Sequence, residues 1–274
     1  MQATLPLPGI PAPRSGSMPG RILGRGARQE RYILRLADRE ADVRAAQTLR
    51  FIVFNVEMNE GLDDSFATCL DADEFDAVCD HLLVEDKETG EVVGTYRLQT
   101  GSRARANLDY YSAQEFDLAP FEARRERMLE LGRACVHSQH RNLAVLGLLW
   151  QGIVRYARQR DAVYLLGCSS IPTVEPEAGA AIYEKLRCGH LAPPEWRTSP
   201  LAHMACPLNA ARTAPVRIPK LLSAYLALGA VICGPPALDW RFKTIDFLTL
   251  LNLEDASARV WQQHLLTDAT PARS

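Results

Sequence analysis

The stretch between residues 128 and 168 constrains this chain more than any other. Leu146, Leu149, Trp150, Ile153 and Ala157 fall at i, i+3, i+4, i+7 and i+11, which draws one apolar stripe along a helix running to about Arg160. Apolar segments at 128–136 and 164–168 flank that helix and read as strands. A striped helix between two such strands has to lay its stripe on a sheet, so the chain is predicted to be α/β.

The surrounding pattern extends the sheet. Residues 32–36 read as a strand, and residues 38–54 as a helix whose Val43, Ala46, Leu49, Phe51 and Val53 keep mostly to one side. Residues 81–86 and 92–98 form two strands joined through Lys87-Glu88-Thr89-Gly90, an antiparallel hairpin. Charged, helix-prone residues 120–127 lead into the strand at 128, and 177–186 is a further helix. Strands at 203–206, 230–233 and 244–250 complete a mixed central sheet flanked by helices.

With 274 residues and 47% hydrophobic side chains, one large domain can form without staples. Residues 30–255 show no repeat and no hinge-like linker, and are taken as one domain with a C-terminal helix–strand extension. Residues 1–29, rich in Pro, Gly and Arg and lacking an apolar h-region, read as a disordered tail and not a signal peptide; 256–274 reads as a C-terminal tail. Seven widely spaced cysteines without a Cys-x-x-Cys pair argue against a disulfide framework and against structural zinc, and fit a reducing cytoplasm. A net charge of −2 exerts no global pull on nucleic acid. The long uncharged run at 221–238 is broken by Gly229 and Gly234-Pro235-Pro236, so it reads as an amphipathic helix, a turn and a buried strand rather than a membrane span.

Glu130 and Arg133 stand inside the apolar strand at 128–136. In a regular strand Glu130 and Gly132 share one face and Leu131 and Arg133 the other, unless a bulge near Gly132 intervenes. Such a bulge would free backbone N–H groups for a ligand carbonyl. Glu130 can then serve as general base if burial raises its pKa, whereas a plain buried Glu130–Arg133 ion pair explains the same residues structurally. Arg141 and Asn142 precede a helix start whose N–H groups suit a phosphate, or are an ordinary polar start to a helix. Residues 60–86 hold ten Asp or Glu and no Lys or Arg, including Asp73, Asp76 and Asp80, a negative stretch able to attract a cationic substrate or simply to be solvated. It lacks the Gly and the alternating spacing of a calcium loop, so no metal is expected. His81 and Asp86 match a His-x4-Asp spacing, but positions five apart on a strand face opposite ways, which makes the match accidental.

Taken in order, residues 49–58, 76–84, 93–98, Glu130-Leu131-Gly132-Arg133-Ala134-Cys135-Val136-His137 and 141–150 resemble the ornithine lipid N-acyltransferases. These belong to a GNAT-like, acyl-carrier-protein-dependent group that includes acyl-homoserine lactone synthases and N-acyl amino acid synthases. The resemblance covers about residues 32–252. It implies transfer of a 3-hydroxy fatty acyl group from acyl carrier protein to the α-amino group of ornithine. No bound cofactor is implied, because the acyl-phosphopantetheine arm is itself the donor substrate. Glu130 matches the base of the family's Glu-Leu-x-Arg motif, and Arg50, Arg97 and Arg133 match its polar scaffold, holding the substrate carboxylate or orienting Glu130. Cys135 and Val136 would supply N–H groups to the oxyanion, and Arg141 and Asn142 would meet the carrier's phosphate. Asp73, Asp76 and Asp80 become candidates for the dibasic acceptor. Tyr183 stands where many GNAT enzymes have a tyrosine that protonates the leaving thiol, although a tyrosine on an amphipathic helix also packs.

The acetyltransferase pattern Arg/Gln-x-x-Gly-x-Gly/Ala is not kept, since Ala144 and Leu146 fill its small-residue positions. That crowds a loop for a CoA pyrophosphate and favours a carrier protein, whose arm brings one phosphate. Arg141, Arg155, Arg158 and Arg160 offer contacts to an acidic carrier, and a lipid product implies weak association with the inner membrane surface. Two alternatives stay open: a different amine acceptor, and a non-catalytic lipid-surface or carrier-binding module.

Overall fold

The computed structural model describes residues 30–209 and 217–255, so the two terminal tails expected from sequence lie outside the described residues. In chain order the main elements are β1 (Tyr32–Leu36), α1 (Glu40–Arg50), α2 (Ser65–Thr68), β2 (Asp80–Asp86), β3 (Val92–Thr100), α3 (Gly101–Ala106) and β4 (Met128–Val136). They continue with α4 (Leu143–Gln159), β5 (Tyr164–Ile171), α5 (Pro176–Arg187), α6 (Lys220–Ala227), β6 (Val231–Ile232), β7 (Ala237–Asp239) and β8 (Thr244–Asn252).

The strands form one mixed sheet in the order β1-β2-β3-β4-β5-β8-β6, with β7 also paired to β8. All neighbours are antiparallel except β4 and β5, the pair that α4 connects. A parallel pair needs a crossover, which the striped helix provides. Val145, Leu149, Ile153 and Ala157 of α4 pack with Leu82, Val84, Tyr96 and Leu98 on one face of the sheet. Each such fully buried aliphatic side chain contributes about 1.5–3 kcal/mol. The stripe is rotated from its sequence reading: Val145 is buried, while Leu146 is 38% exposed and, with Trp150, faces a cavity. On the opposite face Tyr110, Phe116, Phe121, Met128, Leu166 and Trp196 form a second cluster, and α5, α6 and β8 enclose a third.

Several expectations are corrected. The helix at 38–54 becomes α1 followed by a π-helix, Phe51–Glu57. The strand expected at 203–206 reduces to a single bridge between Ala205 and Ala237, and β7, not expected from the sequence, pairs with β8. The acidic loop contains α2 and a 3-10 turn at Glu74–Ala77, in which the Asp73 side chain accepts from the Phe75 N–H. Residues Ala119–Arg127 form a 3-10 helix. All seven cysteines are unbridged. Among the described residues no helix is long and apolar enough to cross a membrane.

Candidate active site

β4 and β5 are paired only from Met128–Tyr164 to Glu130–Leu166 and then diverge. β5 continues against β8, and β4 continues against β3 alone. At the fork the two backbones nearly touch: a Cβ on Gly167 would lie 2.3 Å from the Leu131 carbonyl oxygen, so only glycine fits there. Beyond the fork the edge of β4 facing β5 is open, and a cavity of about 530 Å³ fills the gap.

The fork gives the cavity walls from both faces of the sheet. From the α4 face come Tyr96, Leu149, Trp150, Leu165, Tyr225 and Leu251, a largely apolar lining closed by hydroxyls of Tyr96 and Tyr225 that lie 2.5 Å apart. From the α1 face come Arg97, Glu130 and Arg133, joined by Tyr111, Ser112 and Glu115 from the segment before β4. A long acyl chain suits the first wall and a small zwitterion the second.

Arg133 reaches that second wall through the bulge expected near Gly132. Thr95 pairs with Cys135 but Arg97 pairs with Gly132, so β4 carries one more residue than β3 in this interval. The left-handed backbone falls on Arg133 (φ 50°), not on Gly132. A non-glycine residue there costs roughly 1–2 kcal/mol. Without the bulge Arg133 would face α4 with Leu131; with it the guanidinium turns to Glu130's face, stacks on Tyr111 and Phe242, and reaches Asp73 at 3.1 Å and Asp71 at 3.3 Å. Glu130 and Arg133 do not pair with each other, so the simple buried ion pair is not what this strand holds.

Glu130 accepts backbone hydrogen bonds from Tyr111 and Ser112, both 2.8 Å, one on each carboxylate oxygen. Burial pushes its carboxyl up, against the Ser112 and Tyr111 hydrogen bonds and the Arg97 charge that pull it down. The Glu130 side chain is part of the cavity wall.

Behind this wall lies a buried charge lattice. Arg50, fully buried, contacts Asp76 at 2.5 Å and Asp71 at 2.8 Å, and also donates to the Asp71 carbonyl. Arg97 contacts Asp73 at 2.5 Å and Asp76 at 3.0 Å. Burial opposes ionisation of Asp76, but the paired Arg50 and Arg97 hold its carboxyl well below the usual carboxylate range. The acidic loop is therefore not a free negative surface: Asp73 and Asp76 neutralise the arginines that position the β4 wall. Asp80 is apart from the cavity and binds Arg103 at 2.8 Å and the Tyr156 hydroxyl at 2.5 Å. His81 lies against the Asp76 carbonyl and Asp86 pairs with Arg31, so the two form no dyad.

At the mouth, Arg141 lines the cavity, donates to the Val136 carbonyl and pairs with Glu57. Asn142 is the N-cap of α4; its side chain accepts from the Ala144 and Val145 N–H groups, which are thus not free for a phosphate. Tyr183 packs against the third core cluster and is not among the residues that line the cavity.

A family described as acetyltransferase (GNAT) domain matches residues 49–151. The L-ornithine N(alpha)-acyltransferase of Agrobacterium fabrum is 37% identical over 82% of this chain and 82% of its own length. That of Brucella abortus is 37% identical over 87% and 89%. This chain belongs to the L-ornithine N(alpha)-acyltransferase family. Solved structures similar to it include FeeM, an N-acyl amino acid synthase from uncultured soil microbes (13% identity, 86% of this chain and 96% of that one, TM-score 0.49), and the AHL synthase LasI (14%, 87% and 98%, TM-score 0.48). The fold is a GNAT-like acyltransferase fold and the protein an N-acyltransferase.

The sequence reading of this family member missed a second acidic group in the same cavity: Glu60, Glu115, Asp239 and Asp246. Burial pushes the Glu115 carboxyl well above its usual range and that of Asp246 up to about 6. Glu60 is raised to about 7 by burial and by the Asp246 charge. The available signal was the one that singled out Glu130, a carboxylate inside an apolar strand: Asp239 ends β7 and Asp246 interrupts β8.

Proposed function

We propose that this chain transfers a 3-hydroxy fatty acyl group from the phosphopantetheine thioester of acyl carrier protein to the α-amine of ornithine, the first step of ornithine lipid synthesis. The observation that carries the reading is the cavity at the β4–β5 fork, which joins an apolar wall to a carboxylate-and-arginine wall in a chain 37% identical to curated ornithine N-acyltransferases. Glu130, raised by burial and facing the cavity, takes a proton from the α-ammonium, directly or through a water. The neutral amine attacks the thioester carbonyl, forming the C–N bond. N–H groups on the open edge of β4, around Cys135 and Val136, stabilise the oxyanion. Collapse breaks the C–S bond; the adduct nitrogen gives up its second proton, which the departing thiolate takes, and the first proton passes from Glu130 to solvent. Arg97 and Arg133 line the wall where the acceptor carboxylate would rest, held in place by Asp71, Asp73 and Asp76.

Leu146 at the mouth, in the position a CoA pyrophosphate loop keeps small, supports a carrier-protein donor, and Arg141, which also lines the cavity, is the side chain assigned to the arm's phosphate. Exposed Val56, Met58, Leu143 and Leu146 support weak contact with a bilayer that receives the product. The test is mass spectrometry of product from purified protein, ornithine and 3-hydroxyacyl carrier protein, with acyl-CoA in parallel, and of lipids after expression in a host without aminolipids. N-acyl-ornithine in both supports the assignment; acylation of other amino acids but not ornithine, or use of CoA alone, overturns it.

A further inference from the structure

The cavity holds carboxyl groups that no Lys or Arg among the described residues pairs with. Glu115, Asp239 and Asp246 each offer a carboxylate oxygen, all within 4.8 Å of one another. Glu115 and Asp246 are each only 3% exposed, yet Glu115 Oε2 and Asp246 Oδ1 accept no hydrogen bond. Both residues line the cavity, as does Glu60, whose Oε1 is also without a partner. The arginines of the same wall form their ion pairs with the acidic loop, Arg97 with Asp73 and Asp76, Arg133 with Asp71 and Asp73, and Arg133 reaches Glu115 and Asp246 only through its field. Lys220 lines the cavity from an exposed position at the start of α6. Buried carboxylates persist when they are protonated, paired, or offered to a cation that arrives with the ligand.

We infer that Glu115, Asp239 and Asp246 are the subsite for the side-chain ammonium of a diamino-acid acceptor, and so determine acceptor specificity. The inference rests on the acyl transfer to ornithine proposed above and adds the residues that recognise its second amine. An ammonium has three donors, and three carboxylates surround the site. A hard divalent cation seeks six or more oxygens, whereas Asp239 Oδ1 already accepts from the Arg241 and Phe242 N–H groups and Asp246 Oδ2 from the Thr244 hydroxyl. The spacing also fits. Ser112, whose N–H holds Glu130, and Glu115 are one 3-10 turn apart, a rise of about 6 Å. The two nitrogens of ornithine are separated by five bonds, roughly 6 Å when extended. With the α-amine at Glu130, the δ-ammonium comes level with Glu115.

The experiment compares ornithine with norvaline, which has the same carbon chain but lacks the second amine, in wild type, Asp246→Asn and Glu115→Gln, using the full chain and an acyl carrier protein donor. Wild type is expected to favour ornithine by about 10²-fold or more in kcat/KM, since the site is left with unpaired charge by norvaline. In the variants that ratio collapses by at least about tenfold, chiefly through KM for ornithine. An unchanged ratio in folded variants overturns the subsite and leaves the proposed reaction standing. If wild type does not acylate ornithine, the proposed reaction falls, and the subsite is judged by binding of 1,4-diaminobutane: loss of binding in both variants upholds it, equal binding refutes it. Thermal stabilisation of wild type by Mg²⁺, Ca²⁺ or Mn²⁺ that disappears in both variants would assign the cluster to a metal and overturn the ammonium subsite.

Discussion

Glu130→Gln separates catalysis from architecture, because the structure sets a limit on how much damage the substitution can do to the fold. Each Glu130 oxygen accepts one backbone N–H at 2.8 Å, from Tyr111 and Ser112. Glutamine can accept only one of these and turns an NH₂ toward the other. The loss is one charge-assisted hydrogen bond, about 1.5–3 kcal/mol. Removing a buried carboxylate whose pKa is raised offsets part of it, so the net destabilisation is about 1–2 kcal/mol, or roughly 2–8 °C in Tm. A domain with about 5–15 kcal/mol of stability stays folded through that change. Loss of a general base costs about 10²–10⁴-fold in rate, far beyond any loss of folded protein. Thermal melts and steady-state acylation measured together are the assay. Wild-type rate should rise with pH through a pKa above the ordinary carboxylate range, since only ionised Glu130 accepts a proton, and the variant should lack that limb. A folded Gln variant with kcat/KM within about fivefold of wild type would refute Glu130 as the base and leave it as the cap of the 111–114 turn.

Asp76→Asn leaves fully buried Arg50 without its 2.5 Å partner and should destabilise by about 3–5 kcal/mol in denaturant titrations. Because the folded-state pKa of Asp76 is depressed, its contribution is present above about pH 4 and is lost as pH falls below it. Asp80→Lys and Tyr183→Phe should each change KM for ornithine and kcat less than about twofold, since Asp80 serves Arg103 and Tyr156 and Tyr183 packs in a core cluster. Ornithine should raise Tm more at pH 8 than at pH 5, because Asp246, facing Glu60, Glu115, Asp239 and Arg133, has its carboxyl pushed up to about 6 and must ionise to hold a cation. The unliganded protein should follow the opposite trend at this group: a raised folded-state pKa makes its contribution fall as pH climbs from about 4 through 6, which melts across that range would check.

Much of the fold was legible because helix and strand periods differ and turn residues are distinctive. The 87–90 hairpin and the extents of β1, β4 and α5 follow the sequence reading to within a residue or two. Two kinds of feature were not legible. Short edge strands such as β7 exist only because β8 offers unpaired backbone groups, so their own three residues carry no period. The role of the acidic loop could not be read either: ten carboxylates in a row of residues look like a solvated or attracting surface until Arg50, Arg97 and Arg133, distant in sequence, arrive to be neutralised.

The amino-acid sequence by itself determined the α/β class, the order of the longer elements from β1 to α5, the placement of Glu130 in an apolar strand and the resemblance that led to the N-acyltransferase family. Those properties depend on local periodicity and on residues adjacent in the chain. Only the tertiary structure decided which charges work and which support. The fork between β4 and β5 opens the cavity, and the bulge at Arg133 turns a side chain that alternation would have sent to the other face. Packing β7 and β8 against the turn before β4 brings Glu115, Asp239 and Asp246 within 4.8 Å. Charges far apart in the chain interact through space, and a one-residue slip reverses the facing of a strand, so neither could be settled from the chain order.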